Sequence, residues 1–359
     1  MACCTTPYSS ESTRRRVIGW WTVVQGILVA AALALFAALI WWPKVGLHAF
    51  WDVLIPAAPA LVVLAPGLWR NICPLGTASQ LGRRAGGVRG MQLDARWQAY
   101  MGLIGVVLLL VLVPLRHPWF NLDGIATLLL LVAAGVVALL VGFIFAGKSG
   151  WCAGACPVHA VERLYGTKSL LTVTSAHCKT CVRCVIPCPD TAPGIRHGQG
   201  QSTWARKATW VIIVGGFPGF VWGWFQVPDG ISIGAAEAWV WPLGSMLGTM
   251  VLWVLLRSAL PKSDGRRLDA LFAASAVSAY YWFRIPALFG YGVYPGDGML
   301  VDLHGTVPVI VFNVSRVVLA LFFVWWMVIR TPTPRPWMYK PPQEKSKSAS
   351  VAMTIGLTA

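Results

Sequence analysis

Gly124-Ile-Ala-Thr-Leu-Leu-Leu-Leu-Val-Ala-Ala-Gly-Val-Val-Ala-Leu-Leu-Val-Gly-Phe-Ile-Phe-Ala-Gly147 runs for 24 residues without a charged side chain. A helix rises about 1.5 Å per residue and the hydrocarbon core of a bilayer is about 30 Å thick, so roughly 20 apolar residues cross it. This stretch is long enough. Directly after it come Lys148 and the sequence Trp151-Cys152-Ala-Gly-Ala-Cys156-Pro157. An apolar span that empties into paired cysteines sets the reading of the rest of the chain.

Working outward, five further charge-free stretches qualify or nearly do: Val17–Trp42, Val53–Trp69, Trp97–Leu115, Ala208–Val227 and Ala238–Leu256. Two more are interrupted by one arginine each, Ala270–Val293 by Arg284 and Thr306–Ile329 by Arg316. The expectation is an all-α polytopic membrane protein of about eight transmembrane helices. Composition agrees: 57% of the 359 residues are hydrophobic and 12% are charged, against about 25% charged in soluble domains. The first apolar segment is too long for a signal-peptide core and lacks a small-residue cleavage site behind it, so it reads as a retained helix.

The net charge of +16 would suggest nucleic acid in a soluble protein. Here placement gives another reason. If alternate loops are labelled inner and outer from an inner N-terminus, 25 of the 29 basic residues fall in inner segments, and only Lys44 and Arg116 in outer ones. That is the positive-inside asymmetry. It predicts both termini in the cytoplasm and excludes a nucleic-acid partner as the cause of the charge. Trp20, Trp21, Trp41, Trp42, Trp325 and Trp326 stand near span ends, as interfacial belts require.

The longest polar interruption divides the chain. The expected units are an N-terminal tail (1–16), a four-helix half (17–147), a cytoplasmic insertion (148–207), a second four-helix half (208–330) and a tail (331–359) that reads as disordered at its end. The insertion holds Cys178-Lys-Thr-Cys181-Val-Arg-Cys184-Val-Ile-Pro-Cys188-Pro189. This C-x2-C-x2-C-x3-C-P spacing is the bacterial ferredoxin run. Three cysteines at i, i+3 and i+6 in a wrapping loop reach three irons of one cubane, and the fourth turns away to a neighbouring cluster. A zinc site would instead use two separated CxxC pairs.

Cys73, in Trp69-Arg-Asn-Ile-Cys73-Pro74-Leu-Gly76, follows the second span, and Cys152 and Cys156 follow the fourth. All seven cysteines outside the N-terminal tail thus fall on the cytoplasmic side. By the last-Cys-Pro logic, Cys156 completes a [4Fe-4S] cluster with Cys178, Cys181 and Cys184. Cys188, Cys152 and Cys73 are then assigned to a second cluster. Its fourth position is open to a non-cysteine ligand, to Cys3 or Cys4, or to a three-iron cluster. His159 and His177 lie nearby in sequence, although a lone histidine here reads first as an ordinary surface residue.

These Cys-Pro turns, joined to a ferredoxin run over about Val53–Arg196, resemble the NapH/NosR/CcoG-type membrane polyferredoxins. The resemblance implies a small ferredoxin-like 4Fe-4S insertion, electron transfer through two cubane clusters, a link to quinol and a bacterial-type inner membrane. The chain departs from that pattern in three ways. Trp69 stands where a first cysteine is expected, one ferredoxin run is present rather than two, and four helices follow the cluster segment.

Arg284 and Arg316 are each expected about 21 Å from the inner face at similar depth. A buried charge in hydrocarbon needs compensation, and Glu237, Asp297 and Asp302 are the candidate partners. The pair reads first as a structural ion pair tying spans six to eight, and second as a site for a quinone head group, a lipid or a partner subunit. His48, His117 and His304 are expected in outer loops and none within a span, so no haem is expected. No phosphate-binding glycine motif is present, so no nucleotide is expected. The leading functional expectation is a redox relay between quinol and a partner protein. Whether the chain is itself an enzyme, a quinol dehydrogenase subunit, stays open. A non-catalytic subunit of a larger membrane complex, an accessory factor reducing a metal centre during assembly, and a transporter are the other classes in view.

Overall fold

The computed structural model describes residues 11–84, 91, 93, 95–145, 150–176, 203–230, 234–261, 264–331 and 338–339. The described chain is mostly helical. In order come α1 (Glu11–Trp41), α2 (Pro43–Leu64), α3 (Pro66–Ile72), α4 (Pro74–Arg84), α5 (Ala95–Leu112) and α6 (Gly124–Ile144). After these follow α7 (Pro157–Tyr165), α8 (204–224), α9 (Ala235–Ala259), α10 (Gly265–Leu288) and α11 (Val309–Ile329). The extended structure among the described residues is a short parallel pairing of β1 (Val173–Thr174) with β2 (Met338–Tyr339).

Among the described residues, six helices are long and apolar enough to cross a membrane: Gly19–Trp41, Pro43–Leu64, Arg96–Arg116, Gly124–Ile144, Ala236–Ala259 and Val309–Ile329. The chain is a membrane-embedded protein. Its outward faces carry Ile27, Leu33, Leu129, Leu140, Leu255 and Leu321 well exposed, a cost in water that vanishes against lipid tails. The other two expected stretches also form helices, α8 and α10, but they are not among these six. They are the interior of the bundle instead. Ile213 and Phe220 of α8 and Ala274 and Val277 of α10 are buried, and they share one core with Val63, Val106, Phe323 and Met327. An interior helix need not be uniformly apolar, because its neighbours satisfy its polar groups.

The second span differs from the expectation, which began it at Val53 to keep Asp52 outside. The helix starts ten residues earlier, at Pro43, a residue suited to the first helical turn. It ends at Leu64, before Ala65 takes a non-helical conformation and Pro66 starts α3. Asp52 is therefore inside it, at 7% exposure, and so is His48, which had been expected in an outer loop. A buried carboxylate is tolerated here because it has a partner, identified below.

Local devices fix the other elements. The Asp123 side chain accepts from the amides of Ile125 (2.8 Å) and Ala126 (3.3 Å) and so caps α6. Pro59 and Pro56 weaken the α2 ladder, and Tyr281 of α10 enters the gap. Its hydroxyl accepts from Ala60 N (2.8 Å) and donates to Pro56 O (2.7 Å). That insertion locks α2 to α10. Glycines permit the closest helix contacts: a Cβ on Gly219 of α8 would collide with the backbone of Ser245 on α9, the small-residue packing usual in membranes.

The segment expected to stand apart as a cluster domain starts inside this body. Ala160, Leu164 and Tyr165 of α7 belong to the main core.

Candidate cysteine site and an ion-pair network at the opposite end

Cys73 and Cys156 occupy equivalent local structures. Each ends a helical segment in extended conformation, Cys73 at φ −62°, ψ 117° and Cys156 at φ −65°, ψ 120°, and each is followed by a proline that opens the next helix. The proline is the cause: it bars the preceding residue from the helical region and pre-sets its own turn for a new helix. Both cysteines thus leave a helix end at a corner. Cys152 sits in a π-helical turn, Trp151–Ala155, just before the second corner.

The two corners meet. A Cβ placed on Gly76 would lie 3.7 Å from Cys152 Sγ and 3.7 Å from Cys73 Cβ. Ser79 Oγ lies 3.9 Å from Cys152 Sγ. Burial pushes the Cys156 thiol pKa up, and Cys73 and Cys152 push it the same way. All three are half-buried. No group of three or more His, Cys, Asp or Glu side chains among the described residues forms a set able to hold a metal ion. Cys178, Cys181, Cys184 and Cys188 lie outside the described residues, as do Cys3, Cys4 and His177.

Arg70, Asn71 and Glu162 beside the cysteines escaped the sequence reading, and His159 was read first as a surface residue. Arg70 is 5% exposed, and its Nε donates to Glu162 Oε1 at 2.5 Å while Nη2 donates to His159 Nδ1 at 2.6 Å. His159 is therefore no surface residue. Since Nδ1 accepts, the ring proton sits on Nε2. Burial, reinforced by Arg70, lowers its pKa to about 4 even against the opposing pull of Glu162, so the ring is neutral at pH 7. Burial alone would raise the Glu162 carboxyl, but Arg70 and the hydrogen bonds around it leave it below its usual value. This triad braces α3 against α7. Asn71, fully buried, donates to Thr174 O (2.7 Å) and accepts from Ala176 N (3.0 Å). It clamps the strand that leads toward Cys178 beside the Cys73 corner. The signal was position: Arg70 and Asn71 precede Cys73-Pro, and His159 and Glu162 follow Cys156-Pro.

A second polar cluster is built by α2, α10 and the segments that follow α5 and α8. Arg284 forms an ion pair with Asp52 and donates to Trp51 O at 3.0 Å. The expected partners were Glu237, Asp297 and Asp302. The observed one is on α2, 232 residues away, so the pair ties α2 to α10. His48 Nδ1 is 2.6 Å from the other Asp52 oxygen. The Arg116 guanidinium lies over Trp51 (4.0 Å) and Trp224 (4.7 Å). Asn121 donates to both oxygens of Asp229 at 2.9 Å, and His117 Nδ1 is 2.7 Å from Asp229. Asp229 N donates to Asp297 Oδ2 at 2.8 Å. A cavity of about 40 Å³ lies among Arg284, His117, Asp229, Asp297 and Gly298, room for two or three waters. The loop 289–308 covers it.

Arg316 is not in that cavity. It is half-buried on α11, bonded to Trp282 O (3.0 Å) and Asn313 Oδ1 (3.0 Å), and it lines a separate one. No protein family, curated protein or solved structure shows significant similarity to this chain.

Proposed function

We propose that the chain is a membrane-bound iron–sulfur electron-transfer protein working between the quinone pool and a redox partner protein. The observation that carries the proposal is the meeting of Cys73 and Cys152 over Gly76, with Cys156 close enough to feel both, and with Asn71 fastening the segment that leads into the ferredoxin run. Thiols are the donors that iron–sulfur clusters take. The two corners aim theirs from rigid helix ends, which suits a cofactor that must be held still.

Cys178, Cys181, Cys184 and Cys156 would hold a first [4Fe-4S] cluster. Cys188, Cys152 and Cys73 would contribute to a second. When bound, such clusters supply one-electron exchange at a potential set by burial and by hydrogen bonds to sulfur. The residues of this chain have their own tasks. Ser79 orients the Cys152 sulfur, the Arg70–Glu162–His159 triad holds the two Cys-Pro corners in register, and Asn71 fixes the approach of the run. Basic residues around the run, including Lys179 and Arg183, suit an acidic partner.

We take α8 and α10 as interior spans, giving eight in all, with termini and cysteines in the cytoplasm by the positive-inside rule and the protein in a bacterial-type inner membrane. The quinone pool is the partner that a redox protein buried in lipid meets directly. Arg284, held by Asp52, serves as a tie between helices in this reading.

The test is electron paramagnetic resonance of anaerobically purified protein before and after addition of a reduced quinol. A cluster signal produced by quinol supports the reading. A signal that appears only with a much stronger reductant removes the quinone pool as partner.

A further inference from the structure

Arg316 stands within the apolar run Val-Ile-Val-Phe-Asn-Val-Ser-Arg-Val-Val-Leu-Ala-Leu-Phe-Phe-Val of α11. A cation at such a position is costly unless an anion answers it. Arg284 has Asp52. Arg316 has no carboxylate partner among the described residues: its Nε and Nη1 donate to the neutral oxygens of Trp282 and Asn313. Its guanidinium also lies 5.8 Å from the Trp282 ring centre.

The free side of that guanidinium faces a cavity of about 310 Å³ walled by Tyr291, Pro295, His304, Val309, Phe312 and Arg316. The geometry follows from the helix. Long side chains on a helix lean toward its N-terminus, so Arg316 reaches back over Phe312 and Val309, one and two turns earlier. It lies seven residues into α11, about 10 Å from its start, and its own length carries the charge toward the interface. Tyr291 stacks on His304 at 4.3 Å and lies tilted against Phe312 at 4.4 Å, so the three rings form one wall. The loop turns at Gly290, whose φ of +88° is open to glycine. Of the loop's two acids, Asp297 accepts from the Asp229 amide (2.8 Å) and Asp302 is bound to His304 (3.1 Å), and neither lines the cavity.

We propose that this cavity binds a phosphate group, with Arg316 as its cation. Guanidinium and phosphate match in charge and in two-point hydrogen bonding. A lipid headgroup and a small phosphate solute share this chemistry. The proposal does not depend on the iron–sulfur reading.

The test uses the full chain, delipidated in mild detergent, and native mass spectrometry. The probes are short-chain phosphatidylglycerol, glycerol 3-phosphate, inorganic phosphate and a phosphate-free diacylglycerol. The expected result is that phosphatidylglycerol binds and diacylglycerol does not, and that Arg316→Gln weakens binding by about tenfold or more, as loss of a charge-assisted pair should. Binding confined to the acylated probe identifies a lipid headgroup, and equal binding of the soluble phosphates identifies a solute site. Val309→Trp, which fills the mouth while keeping the arginine, should also weaken binding, and it guards against a misfolded Arg316→Gln. Wild-type binding by both variants, no phosphate probe bound, or diacylglycerol bound as well as phosphatidylglycerol would overturn the proposal.

Discussion

Asp52 shows how one side chain can redraw an element. Read as a charge, it belongs outside a span. Paired with Arg284 it is buried in one, and the helix begins at Pro43. Removing one partner of a buried pair strands the other in a medium that cannot solvate it, at a cost of about 3–5 kcal/mol, whereas replacing both by apolar groups is often neutral. Asp52→Leu should therefore lower the thermal unfolding midpoint in detergent sharply. Asp52→Leu combined with Arg284→Met should recover most of the loss. If the double variant were as unstable as the single, the ion pair would not be the reason that Asp52 is tolerated. The need for a counter-ion was legible in Arg284. Its identity was not, because the partner is 232 residues distant and sequence gives no measure of which helices touch.

At the scale of elements, most of the membrane helices were legible because lipid exposure demands a long apolar run, and α5, α6 and α9 lie close to their expected limits. What escaped was the interior. α7 looked like part of a polar insertion, yet Ala160, Leu164 and Tyr165 are core, since only one face of a nine-residue helix need be apolar to be buried. His159 was misread for the same reason. Its lowered pKa makes a prediction about the whole α3–α7 brace. The unfolded ring takes up a proton near pH 6.5, whereas the folded ring does so only near pH 4. Between those values the unfolded state binds more protons, so stability falls as pH falls. The lowered Glu162 carboxyl acts with the same sign below about pH 4.5. Unfolding midpoints in detergent should drop from pH 7 to pH 5, and His159→Gln should flatten that drop. An unchanged slope in the variant would remove His159 as its source.

The whole molecule has two chemically different ends. Thiols, the Arg70 triad and the Asn71 clamp gather at one, and the Arg284–Asp52, Arg116 and His117–Asp229 network closes the other. Their assignment to the two sides of a membrane rests on the distribution of basic residues. Lys44→Cys, beside the network end, should react with a membrane-impermeant maleimide added to intact spheroplasts. Reaction only after lysis would invert the orientation. The positions of the cysteine corners were legible from the Cys-Pro pairs. That Cys73 and Cys152 would meet over Gly76 depended on how α4 packs against α6, which no local pattern encodes.

If these corners hold iron and sulfide together with the ferredoxin run, as proposed, both will be found in anaerobically purified protein when iron and acid-labile sulfide are counted per chain. Two clusters require about seven or eight irons and about eight sulfides, and Cys73→Ser with Cys152→Ser should reduce each to about four while leaving one cluster signal in place. Iron absent from the wild-type chain would rule out a cluster, and a count unmoved by the double substitution would remove Cys73 and Cys152 as ligands.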